Sequence, residues 1–424
     1  MTLQERDKAV IWHPFTPFKN SPLPIPVIKG AWAYLTDEHG NHYLDAISSW
    51  WVTLHGHAHP YIAQKIYQQA LTLEQVIFAG FTHQPAIELA ERLLKLLPGN
   101  FSKIFYSDNG STATEVAIKM ALQYWWNKED KAPRKTKIIA FNNSYHGDTF
   151  GAMSVSDRSV FTLAFHEKLF EVIFIDTPTE DNLPQHQQFI DNNSHEIAAI
   201  IYEPLVQGAG GMKMYKAALL NQLLATCKQH HIICIADEVM TGFGRTGKNF
   251  ASEYMEVLPD IICLSKGLTG GTMALGVTAA ASFIVTAFDT EDKLKTFFHG
   301  HSFTANPLAC TAANASLDLL EQPACKQAIY GIVQQNKEWV SRLHKYNLPI
   351  KDIRQLGTIV AFEIDKGKTE YLNTIAATIT KKGLEKGIYI RPLGNTVYIM
   401  PPYCVDINTL KNLQQTIVEI ITTC

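Results

Sequence analysis

Two apolar runs end in ionisable residues of opposite sign. Ile232-Ile233-Cys234-Ile235-Ala236-Asp237-Glu238-Val239 reads as a buried strand closing on adjacent carboxylates. Asp260-Ile261-Ile262-Cys263-Leu264-Ser265-Lys266-Gly267 reads as a second strand followed by a lysine. In α/β proteins ligands bind at the carboxyl ends of parallel strands. Side chains alternate along a strand, so Asp237 and Glu238 point opposite ways and only one need enter a site. Taken singly, the acids have the ordinary reading of a helix cap and the lysine that of a solvated cation. Together they suggest more. A lysine in an apolar surround loses its proton near neutral pH and becomes an amine nucleophile. Facing an aspartate at a second strand end, it suggests a pyridoxal phosphate site, with Lys266 condensing with the cofactor aldehyde and Asp237 keeping the pyridine nitrogen protonated.

Such a cofactor also needs an anion site. Phe105-Tyr106-Ser107-Asp108-Asn109-Gly110-Ser111-Thr112-Ala113-Thr114-Glu115 is a strand, a small polar turn and a helix start, where free N–H groups and the Ser111 and Thr112 hydroxyls can hold a phosphate. The same segment also fits an ordinary capped helix, and Gly110 at the turn favours close approach of a ligand. Tyr145-His146-Gly147-Asp148 follows another strand, and its aromatic ring could stack on a flat cofactor. Gly242-Phe243-Gly244-Arg245-Thr246-Gly247 has the glycine spacing of a dinucleotide fingerprint. It begins after the strand has ended and leads into a poor helix start, so it is set aside. His55, His57 and His59 alternate beside Gly56 and Pro60 in an expected loop, with no nearby carboxylate to complete a metal site.

The elements that must position these residues alternate. Strands are expected at Lys103–Tyr106, Lys137–Phe141, Glu171–Ile175, Ile197–Tyr202, Ile232–Ala236, Ile261–Leu264 and Val277–Ala281, with helices such as Ala113–Trp126 and Lys216–His230 between them. Continuous β-branched runs imply strands covered on both faces, hence an α/β architecture with a mostly parallel sheet. Earlier, a hairpin is expected from Ala31–Leu35 and His42–Ala46 around the turn 37–41. Beyond helices near Asn306–Leu320 and Lys326–Lys345, strands at Ile359–Ile364, Ile388–Arg391 and Val397–Met400 alternate with helices near Leu372–Lys386 and Asn408–Ile421. The expected division is an N-terminal arm and hairpin over 1–55, a large domain over 56–305 and a smaller α+β domain over 306–424, with the arm folding back onto the last.

With 424 residues the chain is long for one core, and its 46% hydrophobic content supports large buried interiors. A net charge of −3 gives no reason to expect nucleic acid or an acidic membrane as partner. Seven cysteines are scattered without the pairing of disulfide or zinc frameworks. The mixed-charge start lacks a signal region, and no run is long enough to span a membrane. A cytoplasmic location is therefore expected.

Six ordered blocks resemble the class III (ω-amino acid type) aminotransferases of pyridoxal phosphate fold type I, the aspartate aminotransferase-like fold. They are Ser107–Glu115, Tyr145–Gly147, Glu203–Gly208, Ala236–Val239 with Gly242–Gly247, and Ser265–Gly267. Ile11-Trp12-His13-Pro14-Phe15, Ser48-Ser49-Trp50-Trp51, Gln207–Met212, Leu268–Met273, Ile390–Gly394 and Tyr398–Tyr403 resemble the branch that aminates 8-amino-7-oxononanoate in biotin synthesis, with S-adenosylmethionine or lysine as donor. The double tryptophan and the Trp-His-Pro opening speak against other class III ω-aminotransferases.

This resemblance implies pyridoxal phosphate as cofactor, two half-reactions through one site, and a homodimer whose sites are shared. Lys266, Asp237 and Tyr145 are the implied catalytic residues. Gly110 and Ser111 are implied phosphate contacts, joined by His301 and Ser302 of the partner chain. Phe15, Trp50, Tyr145, Lys266, Gly300 and Arg391 match substrate-contacting positions, with Arg245, Asp148 and Tyr398 as further candidates. The fork of Arg391 suits a carboxylate tail. Phe15 stands where a tyrosine is expected, and Gly300-His301-Ser302-Phe303 where Gly-Pro-Thr-Phe also occurs. A ligand-binding relative without activity would be expected to lack Lys266 or Asp237, and both are present.

Overall fold

The computed structural model describes the chain except Asn20, Asp130, Ala132, Pro133, residues 366–373 and Cys424. Three strands, β1 (Val27–Ala31), β2 (Tyr34–Asp37) and β3 (His42–Asp45), form an antiparallel meander near the N-terminus. The first expected hairpin strand is thus split. Trp32 takes φ +52° and turns the chain between β1 and β2.

The centre is a seven-stranded sheet. Its members are β4 (Phe101–Ser107), β5 (Lys137–Phe141), β6 (Ile173–Ile175), β7 (Ile197–Tyr202), β10 (Ile233–Asp237), β11 (Ile261–Leu264) and β12 (Gly276–Ala281), in the order β4-β12-β11-β10-β7-β5-β6. Between β7 and β10 lies a small hairpin of β8 (Val206–Gln207) and β9 (Lys213–Met214). Only β12 runs against the others, pairing antiparallel with both β11 and β4. A parallel neighbour would need a crossover of about a dozen residues or more, usually a helix. The segment from Ser265 to Leu275 is too short for that and carries only the turn Lys266–Thr269.

Every residue of β7, β10, β11 and β12 is buried, which accounts for sequences that are apolar apart from Thr278 and the closing Asp237. Expected and observed limits coincide for β5, β7 and β11. One face of the sheet is covered by the helix Gly110–Lys128, whose Ala113, Ala117 and Ala121 let it lie close to Ile233, Ile235 and Ile261. Because β4, β5, β7, β10 and β11 run the same way, the turns after all five open on one edge. Residues 107–111, 142–148, 203–208, 237–239 and 265–267 meet there.

Toward the C-terminus, β13 (Ile350–Leu356), β14 (Ile359–Ile364) and β16 (Thr396–Ile399) form an antiparallel sheet beside the helices Pro323–Leu343 and Ile407–Thr422. The strand β13 was not expected; its half-buried, polar-rich sequence hides the pattern. β15 (Ile388–Tyr389) pairs parallel with β3, so the two ends of the chain share a sheet. Met400 N–H donates to the Ala46 carbonyl at 2.8 Å and Tyr403 N–H to that of Leu54 at 2.7 Å, fastening the segment before the large sheet to the C-terminal part. A helix is described over Thr374–Glu385; Leu372 and Asn373 of the expected helix lie outside the described residues. Among the described residues no helix is long and apolar enough to cross a membrane.

Candidate active site

A cavity of about 430 Å³ opens at the carboxyl edge of the large sheet, lined by Gly110, Ser111, Tyr145, Glu203, Asp237 and Lys266 among others. Lys266 follows β11 with φ +44°, an unusual backbone for a lysine. The hydroxyl of Ser265 donates to the Leu275 carbonyl at 2.7 Å and closes the turn that holds it there. The Lys266 Nζ lies 4.6 Å from the centroid of the Trp51 ring. Burial lowers its amine from 10.5 to about 8, against the opposing pull of Asp237 and Glu203.

Asp237, the last residue of β10, is held from two sides. Its Oδ2 is 2.7 Å from Nδ1 of buried His146, and its Oδ1 accepts the Val239 N–H at 3.1 Å. Glu238 does not line the cavity. Its carboxylate accepts from the Thr241 hydroxyl and from the N–H groups of Ala251 and Ser252, a structural tie on the far side of the strand end. On the opposite wall Asn109 caps the helix Gly110–Lys128 by accepting the Thr112 N–H at 3.0 Å. The N–H groups of Gly110 and Ser111 precede the first helical carbonyls and face none of them. Gly147, at φ +132°, comes so close that a Cβ there would fall 2.1 Å from the Ser111 Oγ. The same hydroxyl accepts the Asp148 N–H at 3.1 Å.

An adjoining cavity of about 310 Å³ shares Trp51, Val52, Tyr145 and Lys266 with the first and adds Phe15, Trp50, Asp148 and Phe161. Its walls are aromatic. Phe15 meets Trp50 edge-on at 5.5 Å and Phe161 at 5.8 Å, and Tyr145 meets Phe161 at 6.2 Å. The Tyr145 hydroxyl donates to Asp148 Oδ2 at 2.8 Å. Burial and the Asp148 and Asp237 charges push that phenol well above its usual range. The Arg391 guanidinium lies 4.9 Å over the Trp50 ring.

Other expected site residues lie elsewhere. Arg245 is fully buried and lines neither cavity. Its guanidinium donates to the carbonyls of Pro401, Trp51 and Thr53 at 3.1, 3.3 and 3.2 Å and stacks on Tyr403. In this structure it braces the segments around Trp51 and Pro401, while its Nε–H has no hydrogen-bond partner among the described residues. Tyr398 is likewise buried behind the wall; its hydroxyl accepts the Trp51 Nε1–H at 2.9 Å and fixes that indole. Gly300, His301 and Ser302 are outside this chain's own cavity. His301 lies 3.2 Å from Asp108, and the Ser302 carbonyl accepts from Gln75. Of the three alternate histidines, His55 and His59 meet edge-on at 6.3 Å and His57 turns away from them. His57 pairs with Asp45 at 2.9 Å, a carboxylate contact not foreseen from sequence, while His55 contacts Ser316.

Sequence reasoning passed over Glu203 and His146 as site residues. Glu203 stands at the carboxyl end of the wholly buried β7 run, the same signal that singled out Asp237. Its Oε2 accepts the Tyr145 N–H at 3.1 Å and its Oε1 the Gly208 N–H at 2.9 Å.

Comparison with known proteins gives a consistent result. The family model for class III aminotransferases matches residues 16–421. The adenosylmethionine-8-amino-7-oxononanoate aminotransferase of Synechococcus elongatus is 45% identical, over 97% of this chain and 98% of its own. A crystal structure of the enzyme of that name from Methanocaldococcus jannaschii superposes with a TM-score of 0.94 at 35% identity, covering 100% of this chain and 99% of the other. The PLP-bound structure of an amine transaminase from an uncultivated Pseudomonas species has a TM-score of 0.89 at 28% identity, over 98% of both chains.

Proposed function

The chain belongs to the class III aminotransferases, and on that premise we propose that it transfers the amino group of S-adenosylmethionine to the ketone of 8-amino-7-oxononanoate, giving 7,8-diaminononanoate in biotin biosynthesis. Its cofactor is pyridoxal phosphate. The residues of the larger cavity fit that group: a lysine amine lowered to about 8, an oriented carboxylate, and a helix start with two open N–H groups beside a glycine that leaves room. Bound there, the cofactor would carry the amino group between the two substrates and draw off electrons from the carbon that loses its proton.

The chain's own groups have separable tasks. An amine lowered to about 8 leaves part of Lys266 unprotonated near neutral pH, so its Nζ could condense with a carbonyl with loss of water and, once freed by an incoming amine, accept and return a proton at the substrate carbon. Asp237, held by His146 and Val239, would accept a hydrogen bond from a pyridine N–H. Gly110 and Ser111 would donate to phosphate. Tyr145 would form one wall against the cofactor ring. Trp50, Phe15 and Phe161 would exclude water around an alkyl chain, and the Arg391 guanidinium beside Trp50 would meet its carboxylate. The juxtaposition of Lys266 and Asp237 at adjacent strand ends, opening into an aromatic chamber, carries the reading.

The division at about residues 55 and 305 is part of this proposal, supported by the sheet that unites β3 with β15. A cytoplasmic homodimer is a further part. Leu71, Ile77, Phe81, Leu294, Phe298 and Phe303 are exposed around the segment carrying His301 and Ser302, a surface suited to a second copy. The described cysteines are free, which suits a reducing compartment. Incubating the purified, cofactor-loaded protein with S-adenosylmethionine and 8-amino-7-oxononanoate should yield the diamine by mass spectrometry. No diamine with that donor, and diamine with lysine, would reassign the donor; none with either would overturn the proposal.

A further inference from the structure

Glu203 has no assigned part in the chemistry above, yet it lines the larger cavity and bonds the backbone beside the aromatic chamber. It is a carboxylate only 5% exposed, directly after β7. One oxygen takes the N–H of Tyr145, from the turn after β5, and the other takes the N–H of Gly208, from the turn after β8. The neighbours of those donors, Tyr145 itself and Ala209, are walls of the aromatic chamber. A single side chain therefore spans the two turns that shape one flank of the cavity. We propose that Glu203 is a positioning residue that locks the Tyr145 and Gly208–Ala209 turns together and sets the negative charge felt by Lys266.

The surroundings of Glu203 support a charge that counts. The ionisable groups facing it are His146 after β5, Asp237 at the end of β10, Lys266 after β11, and Tyr145 and Tyr215. Burial pushes its carboxyl up to about 7; His146 opposes the rise, Asp237 adds to it, and the two N–H donors oppose it. Above that pH the ionised carboxylate offers lone pairs to both donors. Below it, one oxygen carries a proton and competes with the N–H it faces. The ionised form also favours a positive charge on the Lys266 nitrogen. The inference rests on the reading of Lys266 as the cofactor-bearing residue.

Two variants separate charge from reach. In Glu203→Gln the charge is lost at nearly constant shape. Titrating the visible absorbance of the Lys266-bound cofactor should show the pKa of the linking nitrogen about one pH unit lower than in wild type, as expected for one buried charge removed nearby. In Glu203→Asp the charge stays but the side chain is one carbon too short to reach both turns. That titration should stay near wild type while cofactor affinity, measured by fluorescence titration of the cofactor-free protein, falls roughly tenfold. An unchanged titration in the first variant, or an affinity within twofold of wild type in the second, overturns the proposal. If Glu203→Gln does not fold, the affinity of Glu203→Asp decides alone. Absence of the visible band in wild type would instead refute the cofactor reading, so the two failures are distinguishable.

Discussion

Replacing Lys266 by methionine should stabilise the cofactor-free protein at neutral pH. The amine is lowered by burial from 10.5 to about 8 in the folded chain, whereas the unfolded chain keeps the ordinary value. Below pH 8 both states hold the proton, and the folded state bears the whole cost of a buried ammonium. Between pH 8 and 10.5 the folded state releases its proton first, the unfolded state binds more protons, and stability rises with pH. Above 10.5 both are neutral and the cost is gone. At 1.36 kcal/mol per pH unit the cost is about 3 kcal/mol. Methionine has similar length and no charge, so it removes this term. Urea unfolding of both cofactor-free proteins from pH 7 to 10.5 isolates the lysine, because other titrations cancel in the difference. The advantage of Lys266→Met should be about 3 kcal/mol larger at pH 7 than at pH 10.5. A difference flat across that range, or one that grows with pH, would refute the account of Lys266 as a desolvated amine.

Gly147→Ala should weaken cofactor binding at least roughly tenfold in a fluorescence titration, since a methyl at φ +132° meets the Ser111 hydroxyl at 2.1 Å. Binding within twofold of wild type would contradict the assigned cradle. For Arg391→Ala, loss of a charge-assisted contact to the substrate tail should raise KM for 8-amino-7-oxononanoate roughly tenfold to a hundredfold, with Arg391→Lys recovering only part. An unchanged KM would place that carboxylate elsewhere. Tyr398→Phe leaves the buried Trp51 Nε1–H without its acceptor and should lower stability by about 1–3 kcal/mol, read from the urea midpoint. No change would mean that the indole finds another partner.

How far the sequence carried these conclusions differs from element to element. β5, β7 and β11 were legible to the residue because each is an apolar run buried on both faces, with only Lys137 at the start of β5 polar and half-buried. β13 was not, because it is half-buried and mixes lysine, aspartate and arginine with its apolar residues. The meander around Trp32 was misjudged because its turn depends on one residue in a left-handed conformation that tryptophan seldom adopts. In the site, Lys266 and Asp237 announced themselves by following apolar strands. The place of Arg245 was not legible in this way. The resemblance offered it as a substrate contact, while the partners of its guanidinium in the fold are three carbonyls, two of them about 190 residues away along the chain. Glu203 carried the right signal, but its donors come from separate turns that only the folded sheet brings together.

The central claim is that Lys266 is the residue to which the cofactor is joined. Borohydride reduction of the cofactor-loaded protein, followed by peptide mass spectrometry, tests it most directly. The account predicts a reduced pyridoxyl phosphate adduct on the peptide containing Lys266, absent from Lys266→Ala. An adduct on another lysine, or none on wild type under conditions that label a known class III aminotransferase, would contradict it.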